Sequence, residues 1–165
     1  PMTRPAFTIR LPEPDDAPAL AAVHVRSWRE TYAGMLPERF YDETAQRRRR
    51  TMWDGLLRDE AGRRAVRVAE VAGRIVGFAA VGAPEEAQPA RETALRMVYV
   101  LREHHGGGAG QALLDTALGA EPAQLWVAAA NARAIRFYER NGFRVDGTET
   151  VDPRLSDLRE LRMVR

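Results

Sequence analysis

Apolar positions along the chain change period several times, and each change marks a new element. Phe7 and Ile9 alternate with polar neighbours as a short strand over 7 to 10, and Pro12 to Asp16 reads as a turn whose aspartates cap the helix that follows. From Ala17 to Ala33, Leu20, Val23 and Trp28 recur at helical spacing, and Gly34 is placed to end the helix. A second helical stretch runs from Thr44 to Leu57. Val66, Val68 and Val71, the turn Ala72-Gly73-Arg74, and Ile75 to Val81 then read as an antiparallel hairpin. Residues 82 to 91, with two prolines and no apolar period, form a loop.

The second half repeats the alternation of strand and helix. Glu92 to Val100 predicts a strand, followed by a glycine cluster and a helix from Gly110 to Leu118. Leu125 to Ala128 is a short buried strand, and Asn131 opens a helix that carries Ile135, Phe137 and Tyr138 and stops at Gly142. Phe143 to Val151 and Leu158 to Val164 complete the set. Two hairpin-like halves around a strand-loop-helix unit predict an α/β (α+β) fold, a mixed sheet covered by helices.

Composition narrows the class. A chain of 165 residues with 45% apolar and 29% charged positions suits one globular domain over 1–165. No apolar run approaches the ~20 residues that cross a bilayer, and the N-terminal stretch lacks the regions of a signal peptide, so a cytoplasmic protein is expected. Pro1 and Met2 carry no fold information. The absence of cysteine excludes disulfides, thiolate metal sites and a cysteine nucleophile. All 25 basic residues are arginine against 23 acidic ones, a net charge of only +2, so the pI of 9.5 reflects a small excess of permanent cations rather than a basic field. Arg47 to Arg50 would point around most of a helix circumference, and nucleic-acid binding is not expected. His24, His104 and His105 have no further ligands at suitable spacing, so no metal is expected.

Candidate chemistry lies in two segments. In Val100-Leu101-Arg102-Glu103-His104-His105-Gly106-Gly107-Gly108-Ala109-Gly110-Gln111, glycines between a strand and a helix free successive N–H groups to bind an anion, most naturally a pyrophosphate. A P-loop would need the lysine and hydroxyl that this chain lacks, and a dinucleotide fingerprint would need a small residue where Gln111 stands. In the later segment Tyr138 carries a phenol that titrates near ~10 when unperturbed, a proton donor at neutral pH.

Together the two segments resemble the GNAT acetyltransferase superfamily. Asn131, Ala134, Phe137, Tyr138, Gly142 and Phe143 match its pattern N-x-x-A-x-x-F-Y-x-x-x-G-F without a gap, and Ser27 to Tyr32 with Leu36-Pro37 look like the N-terminal helices of one of its branches. The resemblance implies a mixed, mostly antiparallel sheet of six to seven strands flanked by helices. It implies acetyl-CoA as co-substrate and an amine as acceptor, with direct attack in a ternary complex. By the same resemblance, backbone groups of Val98, Tyr99 and Val100 pair with the pantetheine arm. Gly106, Gly107, Gly108, Ala109, Gly110 and Gln111 hold the pyrophosphate, Asn131 bonds the cofactor arm or caps its helix, and Tyr138 protonates the leaving thiolate.

Two positions depart from the pattern. His105 stands where glutamine or arginine is usual, which makes a pyrophosphate contact there weaker or dependent on pH. Ala94 replaces a frequent acidic residue that helps deprotonate the amine; Glu92, two residues earlier and so on the same strand face, is the candidate substitute, with Glu30 or a water chain as alternatives. Trp28 and Tyr32, four apart on one helix, either wall the acceptor site or divide into a core residue and a snorkelling one. Family members often dimerise, so a homodimer is among the implications. The rival from another class is an acyl-CoA-binding module without turnover.

Overall fold

In the computed structural model residues 6–165 are described, so Pro1 and Met2 lie outside them. The strands are β1 (Thr8–Arg10), β2 (Val66–Val71), β3 (Arg74–Gly82), β4 (Ala94–Val100), β5 (Gln124–Ala128), β6 (Arg144–Asp152) and β7 (Leu158–Val164). The α-helices are α1 (Ala17–Tyr32), α2 (Glu43–Leu57), α3 (Glu60–Arg64), α4 (Ala109–Ala117) and α5 (Ala132–Arg140). The strands form one open sheet in the order β1-β2-β3-β4-β5-β7-β6, antiparallel throughout except between β4 and β5.

That parallel junction is where the sheet forks. β4 and β5 share a single bridge, Ala94 with Gln124, beside a 3.0 Å bond from the Gln124 N–H to the Thr93 carbonyl. Beyond it β4 bends away, because the register against β3 slips between Ala80 and Val81 and leaves Arg96 as the extra, bulged residue. The Leu101 N–H on the Val76 carbonyl, 2.9 Å, fixes the alternation of the β3–β4 ladder. The backbone groups of Val98 and Val100 therefore face the open edge, while those of Tyr99 belong to the ladder.

Ile75 to Ala80 are all buried, as expected of a strand covered on both faces. On one face Phe78 meets Trp53 of α2 and His24 of α1, with ring centroids 5.0 and 5.2 Å away; α4 covers the other. Burying a ring such as Trp53 or Phe78 contributes on the order of 2–3 kcal/mol each. A second cluster, with Leu114, Leu125, Phe143 and Met163, seats α5 against β5 and β7. A third joins α1 to the β6–β7 turn through Tyr41, Trp28, Leu155 and Leu158.

Two local expectations change, and one short helix is added. The strand begins at Ala94, so Glu92 precedes it and the shared-face argument for that residue fails. Asp16 does not cap α1: its carboxylate accepts from Arg10, 2.7 Å, and from the Glu13 N–H, 2.7 Å. Glu60 to Arg64 form α3, opened by the Asp59 carboxylate on the Gly62 N–H at 2.8 Å.

Candidate active site

The turn after β4 exposes its backbone. Gly106 (φ +81°) and Gly108 (φ +89°) adopt the left-handed conformation, and a Cβ on Gly106 would meet nothing within 4 Å, so conformation rather than space demands glycine there. Gly108 opens α4 without a side-chain cap, and none of the N–H groups of residues 106 to 111 donates to a partner among the described residues. Such a row of free amides at the positive end of a helix suits a diphosphate. The Gln111 side chain is engaged elsewhere, donating to Asp115 at 2.9 Å and Asn141 at 2.7 Å, which leaves only its backbone to the turn.

His105 points to the strand rather than to the turn. Its Nε2 lies 2.7 Å from the Val100 carbonyl and 3.2 Å from the Arg133 guanidinium. A carbonyl only accepts and a guanidinium only donates, so the shorter contact assigns the hydrogen to Nε2 and makes Arg133 a neighbour. Burial, with Arg133 adding, lowers this imidazole below its usual range, so the ring is neutral at neutral pH and its Nδ1 is a bare acceptor, which suits no phosphate. Asn131 caps α5 by accepting from the Ala134 N–H at 3.1 Å, and its amide NH₂ is left over.

A cleft of about 500 Å³ runs along the open edge of β4 from the glycine turn to α5. Tyr138 lines it, with its ring held against Phe137 and Phe143 at 5.4 and 5.9 Å. The Tyr138 hydroxyl has no hydrogen-bond partner among the described residues, and burial pushes the phenol above its ordinary value.

A larger cavity of about 970 Å³ lies beyond, and Met97, Tyr99 and Trp126 line both. α1 presents His24, Trp28 and Tyr32 to it at four-residue spacing. The Trp28 and Tyr32 rings are 4.8 Å apart, and the Tyr32 hydroxyl is 3.3 Å from that of Tyr99. Trp28 does wall the cavity, and Tyr32 turns inward to Tyr99 rather than to solvent. Arg49, one of the four consecutive arginines, lies 4.5 Å over the Trp28 ring and donates to the Phe40 carbonyl at 3.2 Å.

His24 is buried, and the Trp53 indole N–H donates to its Nδ1 at 3.1 Å. Burial, with Arg49 adding, pushes the imidazole down to about 3, so it is neutral and its hydrogen resides on Nε2. In the sequence His24 stands out only as a potential metal ligand, and its spacing from Trp28 and Tyr32 is the signal for its place on this wall. Glu92 is exposed and lines neither cavity. Among the described residues no three His, Asp or Glu side chains gather as a metal set, and no helix is long and apolar enough to cross a membrane.

The model of the acetyltransferase (GNAT) family matches residues 24–143. A probable N-acetyltransferase of Mycobacterium tuberculosis is 30% identical over 156 residues, spanning 84% of this chain and 80% of that protein. Among solved structures, the PaiA N-acetyltransferase from Thermoplasma acidophilum, in complex with coenzyme A, is similar with a TM-score of 0.73 at 22% identity, over 94% of this chain and 97% of that one. YncA from Salmonella typhimurium, solved with its cofactor acetyl-CoA, gives 0.66 at 21% identity, over 96% and 92%. At these identities the structural likeness establishes the fold.

Proposed function

The chain belongs to the acetyltransferase (GNAT) family and is an acyltransferase, and we propose that it moves an acetyl group from acetyl-CoA to a primary amine by direct attack in a ternary complex. The observation that carries this reading is the meeting of the two cavities across the unpaired edge of β4, at Met97 and Tyr99. A thioester entering from one side and an amine from the other come together there.

The residues divide the work accordingly. Free amides of Gly106 to Gln111 hold the diphosphate, and the outward N–H and C=O groups of Val98 and Val100 pair with the pantetheine amides. The Val100 carbonyl also receives the His105 ring, so His105 orients that edge instead of touching a phosphate. The Asn131 NH₂, spare after capping, faces the same cleft as a donor to the arm. A β4 N–H polarises the thioester carbonyl and stabilises the developing oxyanion. With no cysteine in the chain, no thiol carries the acyl group in between.

Tyr138 donates its proton to the departing sulfur. Unperturbed phenol and thiol titrate near ~10 and ~8.5, a gap of roughly 2 kcal/mol. Burial raises the phenol, and a thiolate released into the same cleft is desolvated as well, so both proton affinities move in the same direction. Trp28 and Tyr32 form the acceptor's aromatic wall. The test is thiol release by purified protein with saturating acetyl-CoA across a panel of amines. The reading predicts release that depends on, and saturates with, an amine; tight acetyl-CoA binding without amine-dependent release would favour a binding module instead.

A further inference from the structure

Resting on the acyl transfer proposed above, we propose that Glu160 docks the acceptor's ammonium group and takes its proton, which makes the natural acceptor a cationic alkyl amine. Glu160 sits on β7 opposite Ala128 of β5 and Thr150 of β6. Its side chain and that of Arg162 face the larger cavity, while Leu161 and Met163 between and beyond them pack into the core on the other face.

The other carboxylates of that cavity are engaged. Glu85 pairs with Arg96, Glu86 with Arg162 at 3.3 Å, Glu149 with Arg159 at 2.7 Å, and Asp152 with Arg154 at 3.2 Å. Glu160 alone among them is half-buried with neither an ion pair nor a side-chain hydrogen bond among the described residues. A carboxylate removed from water without a partner is costly unless a cation arrives to meet it. On β4 the cavity is lined by Ala94, so that strand offers no carboxylate near the fork.

The groups facing Glu160 set its proton affinity. Tyr32 approaches from α1, Asp152 from β6 and Arg154 from the β6–β7 turn, while β5 contributes only Ala128 opposite. Burial and Asp152 lift the carboxyl above its usual range, against Arg154. That moves it toward the working range of a general base.

The Glu160 carboxylate accepts one proton from the ammonium, leaving a neutral amine whose lone pair forms the C–N bond at the thioester carbonyl carbon. The C–S bond breaks with its electron pair on sulfur, which takes the Tyr138 proton. The second proton shed by nitrogen restores the phenol, and Glu160 returns its proton to solvent. Ammonium and thioester become amide, thiol and one released proton.

The experiment compares wild type and Glu160→Gln with 2-phenylethylamine, an ammonium at neutral pH, and 4-methoxyaniline, an uncharged amine there. For 2-phenylethylamine, kcat/KM should fall on the order of 100-fold and the acid limb of its pH profile should disappear, with Glu160→Asp recovering part of both. For 4-methoxyaniline the change should stay within roughly threefold, with acetyl-CoA affinity unaltered and the melting temperature no lower than that of wild type. Equal losses for both amines, or no loss for either, would overturn the inference. Calorimetric binding of 2-phenylethylammonium to the protein with coenzyme A bound separates the two readings. If wild type releases no thiol but binds the ammonium at least tenfold more tightly than Glu160→Gln, transfer fails and docking stands; equal binding overturns the docking.

Discussion

Mild acid should weaken the fold through His24. The imidazole titrates at 6.5 when exposed and at about 3 in the fold. Between those values the unfolded chain holds a proton that the folded chain refuses, so stability falls as pH falls across that window. At pH of about 4.5 the loss is two pH units times ~1.36, or roughly 2.7 kcal/mol, and it approaches roughly 5 kcal/mol near the folded value. Carboxylates such as Asp16 and Asp146, held below their usual range by hydrogen bonds to Arg10 and to the Thr148 N–H and Arg162, also stop stabilising in acid. Their loss is common to wild type and variants and cancels in a comparison. His24→Gln keeps an acceptor for the Trp53 N–H and removes the titration. Urea unfolding followed by tryptophan fluorescence gives both stabilities, with equal slopes as the check. The variant should be the less stable near neutral pH, and the difference should shrink by about 2.5 kcal/mol on going to pH of about 4.5. A difference that stays constant would show that this imidazole titrates in the fold as it does in water, and the assignment of its hydrogen to Nε2 would go with it.

Two further substitutions probe the cofactor side. Gly108→Ala forces a side chain into φ +89° at the start of α4. It should lower stability by roughly 1–2 kcal/mol and weaken acetyl-CoA binding, measured by thermal unfolding and calorimetry; unchanged affinity would count against the amide cradle. Asn131→Asp keeps the oxygen that accepts from the Ala134 N–H and discards the NH₂. Melting temperature should hold while acetyl-CoA affinity falls on the order of tenfold; a shift in melting temperature alone would leave Asn131 a cap and nothing more.

Much of this architecture was legible because it is written locally. The glycine cluster between an apolar strand and an apolar helix marks the turn of free amides from residues adjacent in the chain. The asparagine at 131 announces its helix by the same local logic, and Gly142, at φ +87°, ends it. The partners of charged groups were not legible, since they depend on which strands become neighbours. Leu158-Arg159-Glu160-Leu161-Arg162 reads as an ordinary half-exposed strand. Glu160 stands out only once Arg162 is seen turned to Asp146 and Glu86, and Arg154 to Asp152. Arg49 looked like its three neighbours, but the crossing of α1 and α2 sets this one against Trp28. Glu92 failed because the bridge to β5 begins the strand at Ala94, a contact made with a residue thirty positions later.

Under the proposed function Tyr138, whose hydroxyl meets no hydrogen-bond partner among the described residues, supplies the proton on which thioester cleavage ends. The measurement that reaches it most directly is kcat for thiol release by Tyr138→Phe set beside its dissociation constant for acetyl-CoA. For a phenol that protonates the sulfur, kcat falls on the order of 100-fold while the constant stays within about twofold. An equal loss in both, or a loss in neither, would contradict it.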